Sequence, residues 1–519
     1  MSQIDRIYGA MRDDTEAQRG PREQSQICQR FENKTLFVTG ATGFMGKCLL
    51  EKLLRSVPVK HLYILMRERK TGTLEDQANK YFKHVIFDVL RRENPNFREK
   101  VTVIKGDLIS DGLGLSREDR NTIVRDVDIM YHNAANVKFD IRISLSLKIN
   151  VLGTLKMLEL ARECKKLSIF IYISTAYSHC YRKKIEEEFY HSPADLKAVY
   201  DAIKADEGTP NGLTEAALKT LLGNHPNIYT YTKSIAEDLV RQHSKDCAFA
   251  VAIYRPSIVI SAYKEPLPGW VGNSNGPVNI ILGAGLGMIH TAYHHGHPLD
   301  FVPSDYTINA LLAITWDVPT RWQREQGDAI IYNYSSSTTN PTTLPQLYDY
   351  MKYEWREASP KTVWVNAMYF TSSKLLFFIL HLLFHFIPAC FLDLFLIIIG
   401  KKPIAVSIFM KVTQNLDKID YFGNGNWRIY MPKTIEVMNK MNSTDRELFC
   451  CDIRELKWQH YVWVMWRGLR VYFLKEDLNS DAGVRRYTQI WYIHYAVLTM
   501  FFVLFCYVVV MPLIKLCIQ

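Results

Sequence analysis

Lys34–Leu54 reads KTLFVTGATGFMGKCLLEKLL, and the reading of this stretch decides the fold. TLFVTG is a β-branched apolar run closed by glycine, and KCLLEKLL carries apolar residues at helical spacing. The stretch therefore predicts strand, glycine turn and helix, the context in which a glycine pattern becomes specific. Gly40 allows the tight turn, Gly43 lets backbone N–H groups approach a pyrophosphate, and Gly46 lets the helix lie close on the strand. The anion then meets a helix N-terminus, where free N–H groups and the dipole favour negative charge. Thr39, Thr42, Phe44 and Met45 complete the expected cofactor-binding turn.

Working outward, the next strand HLYILMRERK ends where an NAD enzyme would carry a carboxylate for the ribose hydroxyls. Its first polar residue is Arg67, with Arg69 and Lys70 close behind. A guanidinium here accepts a 2′-phosphate, so NADPH is the expected cofactor. VTVIKGDL follows, ending in Asp107 and Leu108, with Asp107 placed for the adenine side. VDIMYHNAANVKFD ends in Asn133, Ala134 and Ala135, small residues beside which a nicotinamide ribose would fit. SIFIYISTAYSHC exposes Ser174, Thr175 and Tyr177 at its end. These strands keep the pace of a doubly wound parallel α/β sheet, in which ligands bind at the carboxyl ends.

In NIYTYTKSIAEDLV, Tyr229 and Lys233 stand four apart at the start of a helical pattern, on one face. A phenol is a poor acid at neutral pH unless a cation stabilises its phenolate. Lys233 is expected to supply that charge while holding the nicotinamide ribose. A hydroxyl from Ser174 or Thr175 would complete a donor pair for a carbonyl oxygen.

VTGATGFMG, GDL, HNAANVKFD, NVLGT, YISTAY and YTYTK together resemble the extended short-chain dehydrogenase/reductases, and more narrowly the fatty acyl-CoA reductases. YRPSIV, EPLPGWVGNSNGP, DFVPSDYTIN, IYNYSSSTTNPTT and HLLFHFIPACFLDL extend the resemblance over roughly residues 32–470. It brings Asn150, Pro256 and Ile258 into the cofactor site, with Asn150 also expected to hold the helix or water feeding a proton relay. The family usually carries an acid where this chain has Gly272, so a different chain-length or headgroup preference is expected if that acid positions substrate.

The two ends of the chain differ in kind. The first 31 residues are polar, without the apolar core of a secretory signal, and are expected to be loosely ordered. Residues 488–514 are almost wholly apolar, entered through Trp491, Tyr492 and Tyr495 and followed by Lys515, as expected of a membrane anchor. Arg485 and Arg486 on its N-terminal side keep the bulk of the protein cytosolic. A second apolar stretch, 374–400, is long enough to span. It contains His381, His385, Pro388 and Asp393, which argue for a hairpin at the membrane face or for packed core helices.

The net charge of +10 is spread along the chain without a basic block, which argues against nucleic acid and suits anionic headgroups. Ten cysteines without a CxxC pair fit reduced thiols. His294, His295 and His297 have no carboxylate or cysteine spaced to close a metal site, so a solvated loop and no metal are expected.

The resemblance implies an NADPH-dependent reductase domain over 32–365 and a smaller, mainly helical domain over 366–475. It implies reduction of a long-chain acyl-CoA, about C16–C18, to a primary alcohol, since each buried CH₂ contributes about 0.8 kcal/mol. The alternatives are a membrane-bound reductase of another lipophilic carbonyl, such as a steroid, and a non-enzymatic NADPH-binding scaffold. The endoplasmic reticulum is the default membrane for such an anchor, ahead of peroxisome and lipid droplet. Oligomeric state stays open, a homodimer included.

Overall fold

The computed structural model describes residues 24–69, 71–272, 276–325, 327–352, 358–478, 481–512 and 514. Residues 1–23, Lys70 and Lys515 lie outside the described residues. Seven parallel strands form the central sheet: β1 Thr35–Thr39, β2 His61–Met66, β3 Val101–Lys105, β4 Ile129–His132, β5 Ile169–Ile173, β6 Ala250–Pro256 and β7 Ile330–Tyr334. Their order is 3-2-1-4-5-6-7. The order reverses between β1 and β4, which opens a crevice at their carboxyl ends.

The strands read as continuous apolar runs because both faces of the sheet are covered. Leu36 and Val38 turn to one core and Phe37 to the other, the period of two that a strand imposes. Helix α1 (Phe44–Ser56) covers the first face, and α2 (Ile228–Ser244) covers the second. On the first face also lies α3 (Ser304–Arg324), a helix buried along most of its length.

Residues 26–31 depart from the expected loose N-terminal segment. Gln26–Phe31 is a helix capped by Ser25 and buried through Ile27 and Phe31. Asp445 holds it from 420 residues away, accepting from the Ser25 hydroxyl at 2.5 Å. The local polarity of the sequence hides a partner that only the fold supplies.

The expected division at 365–366 does not separate two cores. Met431, Phe449, Tyr461 and Leu469 share one apolar core with β1. Glu187 accepts from the backbone N–H of Asn333 (3.0 Å) and of Lys433 (2.6 Å), joining β7 to the C-terminal region. The two-residue strand Arg428–Ile429 pairs with Lys184–Ile185.

Among the described residues, two helices are long and apolar enough to cross a membrane, α4 (Lys374–Ile398) and α6 (Ala482–Val510), each with mean hydropathy 2.3. Between them, α5 (Ala405–Asn424) runs back against α4.

Candidate active site

The glycine turn sits at the mouth of the crevice. Gly40 has φ +71°, and a Cβ there would lie 2.6 Å from the Ala134 nitrogen, so β1 and β4 end in direct backbone contact. A Cβ on Gly46 would meet the Gly40 oxygen at 2.1 Å, which is why α1 can start this close to the strand. Gly43 caps α1 without a side-chain hydrogen bond, and Thr42 and Gly43 are exposed. First-turn N–H groups and an open lip are what a dinucleotide pyrophosphate requires, so the residues present fit the group.

Other expected cofactor residues divide between the lip and the supporting shell. Arg67 is 68 % exposed at the end of β2, 3.9 Å from Asp107 across the lip. Thr39 is buried, its hydroxyl on His132 Nδ1 (2.8 Å) and accepting from the Ala134 N–H (3.3 Å). Asn133 donates to the Gly40 carbonyl (3.3 Å), and Ala134 and Ala135 stay half-buried beside it. Phe44 and Met45 are half-buried, while Leu108 turns onto Gly153. Asn150 lies in a π-helical turn, Lys148–Leu152, and clamps Asn136 through both its backbone groups while donating to Thr232 at 2.9 Å. It fixes the loop after β4 to α2. Pro256 accepts from the Ala176 N–H, and Ile258 lies on the wall of an apolar cavity.

Asn227 caps α2 by accepting from the Thr230 N–H (3.0 Å), which sets Tyr229 in the first turn and Lys233 one turn on. Thr175 accepts from the Tyr177 N–H (3.2 Å), and its hydroxyl lies against the Tyr229 oxygen with its proton free to turn toward a carbonyl. Ser174 does not share that role. Its hydroxyl donates to Glu237 at 2.5 Å, on the other side of the strand end. Of the two hydroxyls expected to face the carbonyl, only Thr175 reaches Tyr229.

The electrostatics also differ from expectation. Burial pushes the Tyr229 phenol well up, the Thr175 hydrogen bond opposes this, and Glu237 adds to the rise. Lys233 donates to the Ile173 carbonyl (2.6 Å) and is pulled down to about 7 by burial, against the pull of Glu237. Desolvation dominates the shift, so the phenol keeps its proton at neutral pH.

Glu237 is a residue the sequence reading missed. It is buried, and Arg255 grips it with Nε at 3.0 Å and Nη2 at 2.6 Å. His179 Nε2 stands 3.2 Å away. The carboxyl is held far below its usual range by Arg255 and His179, against the cost of burial. A signal was present, since Tyr229, Lys233 and Glu237 recur every four residues on one helix face. His132, missed as well, is pulled down to about 3 by burial and by Lys233, and so stays neutral between Thr39 and Thr154.

An apolar cavity of about 480 Å³ lies two rings away from the Tyr229 phenol. Ile258, Ile281, Leu299, Phe377 and Phe422 are among its lining residues. Phe422 packs tilted against Phe139 (5.7 Å between rings), and Phe139 against Tyr229 (6.4 Å), so a row of rings joins cavity and phenol. The stretch expected as a solvated histidine loop borders the same space. Thr291–Tyr293 is a strand paired with Tyr369–Thr371, and His294 is buried on the cavity wall. Gly272 lies elsewhere: a Cβ there would come within 2.5 Å of Phe44, so its neighbour is the glycine turn rather than this cavity.

Fold and site define a nicotinamide-dependent oxidoreductase of the short-chain dehydrogenase/reductase type. A family model of an NAD-binding domain, described as male sterility protein, matches residues 38–311, and a second with the same description matches 384–476. The fatty acyl-CoA reductase wat of Drosophila melanogaster is 33% identical over 93% of this chain and 92% of its own length. Fatty acyl-CoA reductase 1 of Rattus norvegicus is 34% identical over 89% and 88%. The chain belongs to the fatty acyl-CoA reductase family. Among solved structures, the terminal R domain of the myxalamid PKS-NRPS pathway aligns with TM-score 0.57 over 88% of this chain and 93% of that one, at 19% identity. The reductase domain of a non-ribosomal peptide synthetase from Mycobacterium tuberculosis gives 0.53 over 86% and 96%, at 16%. These two share the fold.

Proposed function

We propose that the protein reduces long-chain fatty acyl-CoA, about C16–C18, to the primary alcohol through the aldehyde, with NADPH as reductant and release of CoA. The observation that carries this reading is the ring path from the apolar cavity to the Tyr229–Thr175 pair. NADPH, when bound, supplies the hydride for each of two successive reductions. Tyr229 and Thr175 donate hydrogen bonds to the carbonyl oxygen, where charge develops as the hydride arrives. In the first reduction the C–S bond breaks, re-forming the carbonyl as aldehyde, and CoA leaves as the thiolate, which takes its proton from water. In the second the Tyr229 phenol gives its proton to the alkoxide. Lys233, Asn150 and the Glu237–Arg255 pair hold these groups in place. Arg67 supports a 2′-phosphate at the lip. The apolar α6 supports anchoring in an intracellular membrane, with the endoplasmic reticulum as the first compartment to test.

Membranes containing the protein, given NADPH and palmitoyl-CoA, should oxidise two NADPH for each hexadecanol formed. Absence of alcohol with every saturated chain would overturn the proposal, and one NADPH per thioester would mean that the reaction stops at the aldehyde. Tyr229→Phe should lower turnover by about 10²–10⁴-fold with NADPH affinity kept. Arg67→Asp should narrow the preference for NADPH over NADH by about tenfold, the worth of a charge-assisted hydrogen bond.

A further inference from the structure

α4 is a helix with no protein around most of it. Only 11% of its most apolar stretch is buried, and Leu375, Phe391 and Ile398 are 71, 68 and 73 % exposed. A soluble surface does not carry a contiguous apolar face of this size. Beyond Lys374 at its foot, its histidines and its aspartate turn inward. His381 meets Thr413 (3.0 Å) and Thr291 (3.3 Å), and His385 accepts from the His290 N–H (2.9 Å). Asp393 accepts from the backbone of Ile404, Ala405 and Val406, capping α5. A π-helical turn, Leu382–Phe386, precedes Pro388, whose missing N–H would otherwise break the ladder. His381, His385 and Asp393, expected to mark a membrane-face hairpin or packed core helices, thus fasten α4 to α5 and to the reductase body and leave its outer face apolar.

One segment of the body touches both apolar helices. Trp364 donates to His494 of α6 (3.1 Å), and five residues on Tyr369 stacks against Phe384 of α4 (5.6 Å). Both helices therefore leave the protein from one segment. Lys374 at the foot of α4, Lys401 and Lys402 at the turn, and Lys411 on α5 are exposed, long enough to reach anionic headgroups. The apolar cavity opens here: Lys374, Phe377 and Phe378 line it, and Phe378 is also 64 % exposed to the outside.

We propose that the α4–α5 hairpin is a second membrane contact, its outer face in the bilayer, and that the cavity opens into lipid at Lys374–Phe378, where acyl chain and fatty alcohol pass without crossing water. The passage of the chain rests on the reaction proposed above; the membrane face does not.

Full-length protein in phosphatidylcholine vesicles, carrying a benzophenone amino acid at Phe391, should cross-link to lipid on illumination. The same group at Tyr200, exposed on the reductase body, should not. In parallel, Phe378→Lys should lower kcat/KM about tenfold more for palmitoyl-CoA than for octanoyl-CoA, because the shorter chain has about eight fewer CH₂ groups to pass the mouth. Lipid labelling at Phe391 with that selective loss supports the inference. Absence of labelling, or equal loss for both thioesters, overturns it. Labelling without reduction of either thioester by the unaltered protein overturns the reaction, and with it the passage, while the membrane face stands.

Discussion

Ser174 and Thr175 are adjacent, similar in chemistry, and turned to opposite tasks by the strand end they occupy. Thr175→Val should lower turnover by about 10²-fold, the effect of losing one oxyanion donor, with little change in melting temperature. Ser174→Ala should do the reverse, destabilising by about 1–3 kcal/mol because Glu237 loses a buried donor. Steady-state kinetics with a thermal unfolding scan of each variant separates the two, and a Ser174→Ala enzyme as slow as Thr175→Val would refute the division. Lys233 makes a pH statement. Its ordinary value is 10.5 and the folded value about 7, so the unfolded chain binds the proton more tightly. Its contribution to stability is fully present above about 10.5 and lost as pH falls through about 7. Between pH 7 and 9 the denaturant midpoint should rise with pH more steeply for the native protein than for Lys233→Met, and parallel slopes would contradict the assignment.

At the scale of elements, the contact between β1, β4 and α1 leaves no room for side chains. Gly46→Ala forces a Cβ to within 2.1 Å of the Gly40 carbonyl, a backbone atom that cannot turn aside. The helix must move off the strand, with an expected loss of about 1–3 kcal/mol and a matching loss of dinucleotide affinity. Isothermal titration with NADPH would read it, and unchanged affinity would show that α1 is not the pyrophosphate seat. The hairpin shows the converse case. His381, His385 and Asp393 leave two readings open in the sequence, a membrane-face hairpin or packed core helices, and as elements they fasten α4 to α5 and to the reductase body.

Over the whole molecule, residues 428–471 are part of the reductase core, while α4 and α6 stand outside it. Glu187 collects backbone N–H groups from β7 and from Lys433, and accepts the Thr434 hydroxyl at 3.1 Å. Glu187→Ala leaves those donors unmet and should cost about 1–3 kcal/mol. Limited proteolysis should then cut first near residues 425–435, and a native-like digestion pattern would argue against the tether.

The sheet, the glycine turn, the Tyr229–Lys233 face and both apolar stretches were legible because each is a local pattern: period two, period near four, or simple length. Glu237 was legible on the same period and was overlooked. Which hydroxyl meets Tyr229, the sign of the phenol's shift, the docking of Gln26–Phe31 by Asp445, and the path through Phe139 and Phe422 were not legible. Each depends on burial or on partners far apart in the chain. Sequence by itself determined a dinucleotide turn joined to an apolar tail. Tertiary structure decided how the site is wired and where the cavity opens, because distance and desolvation exist only once the chain has closed on itself.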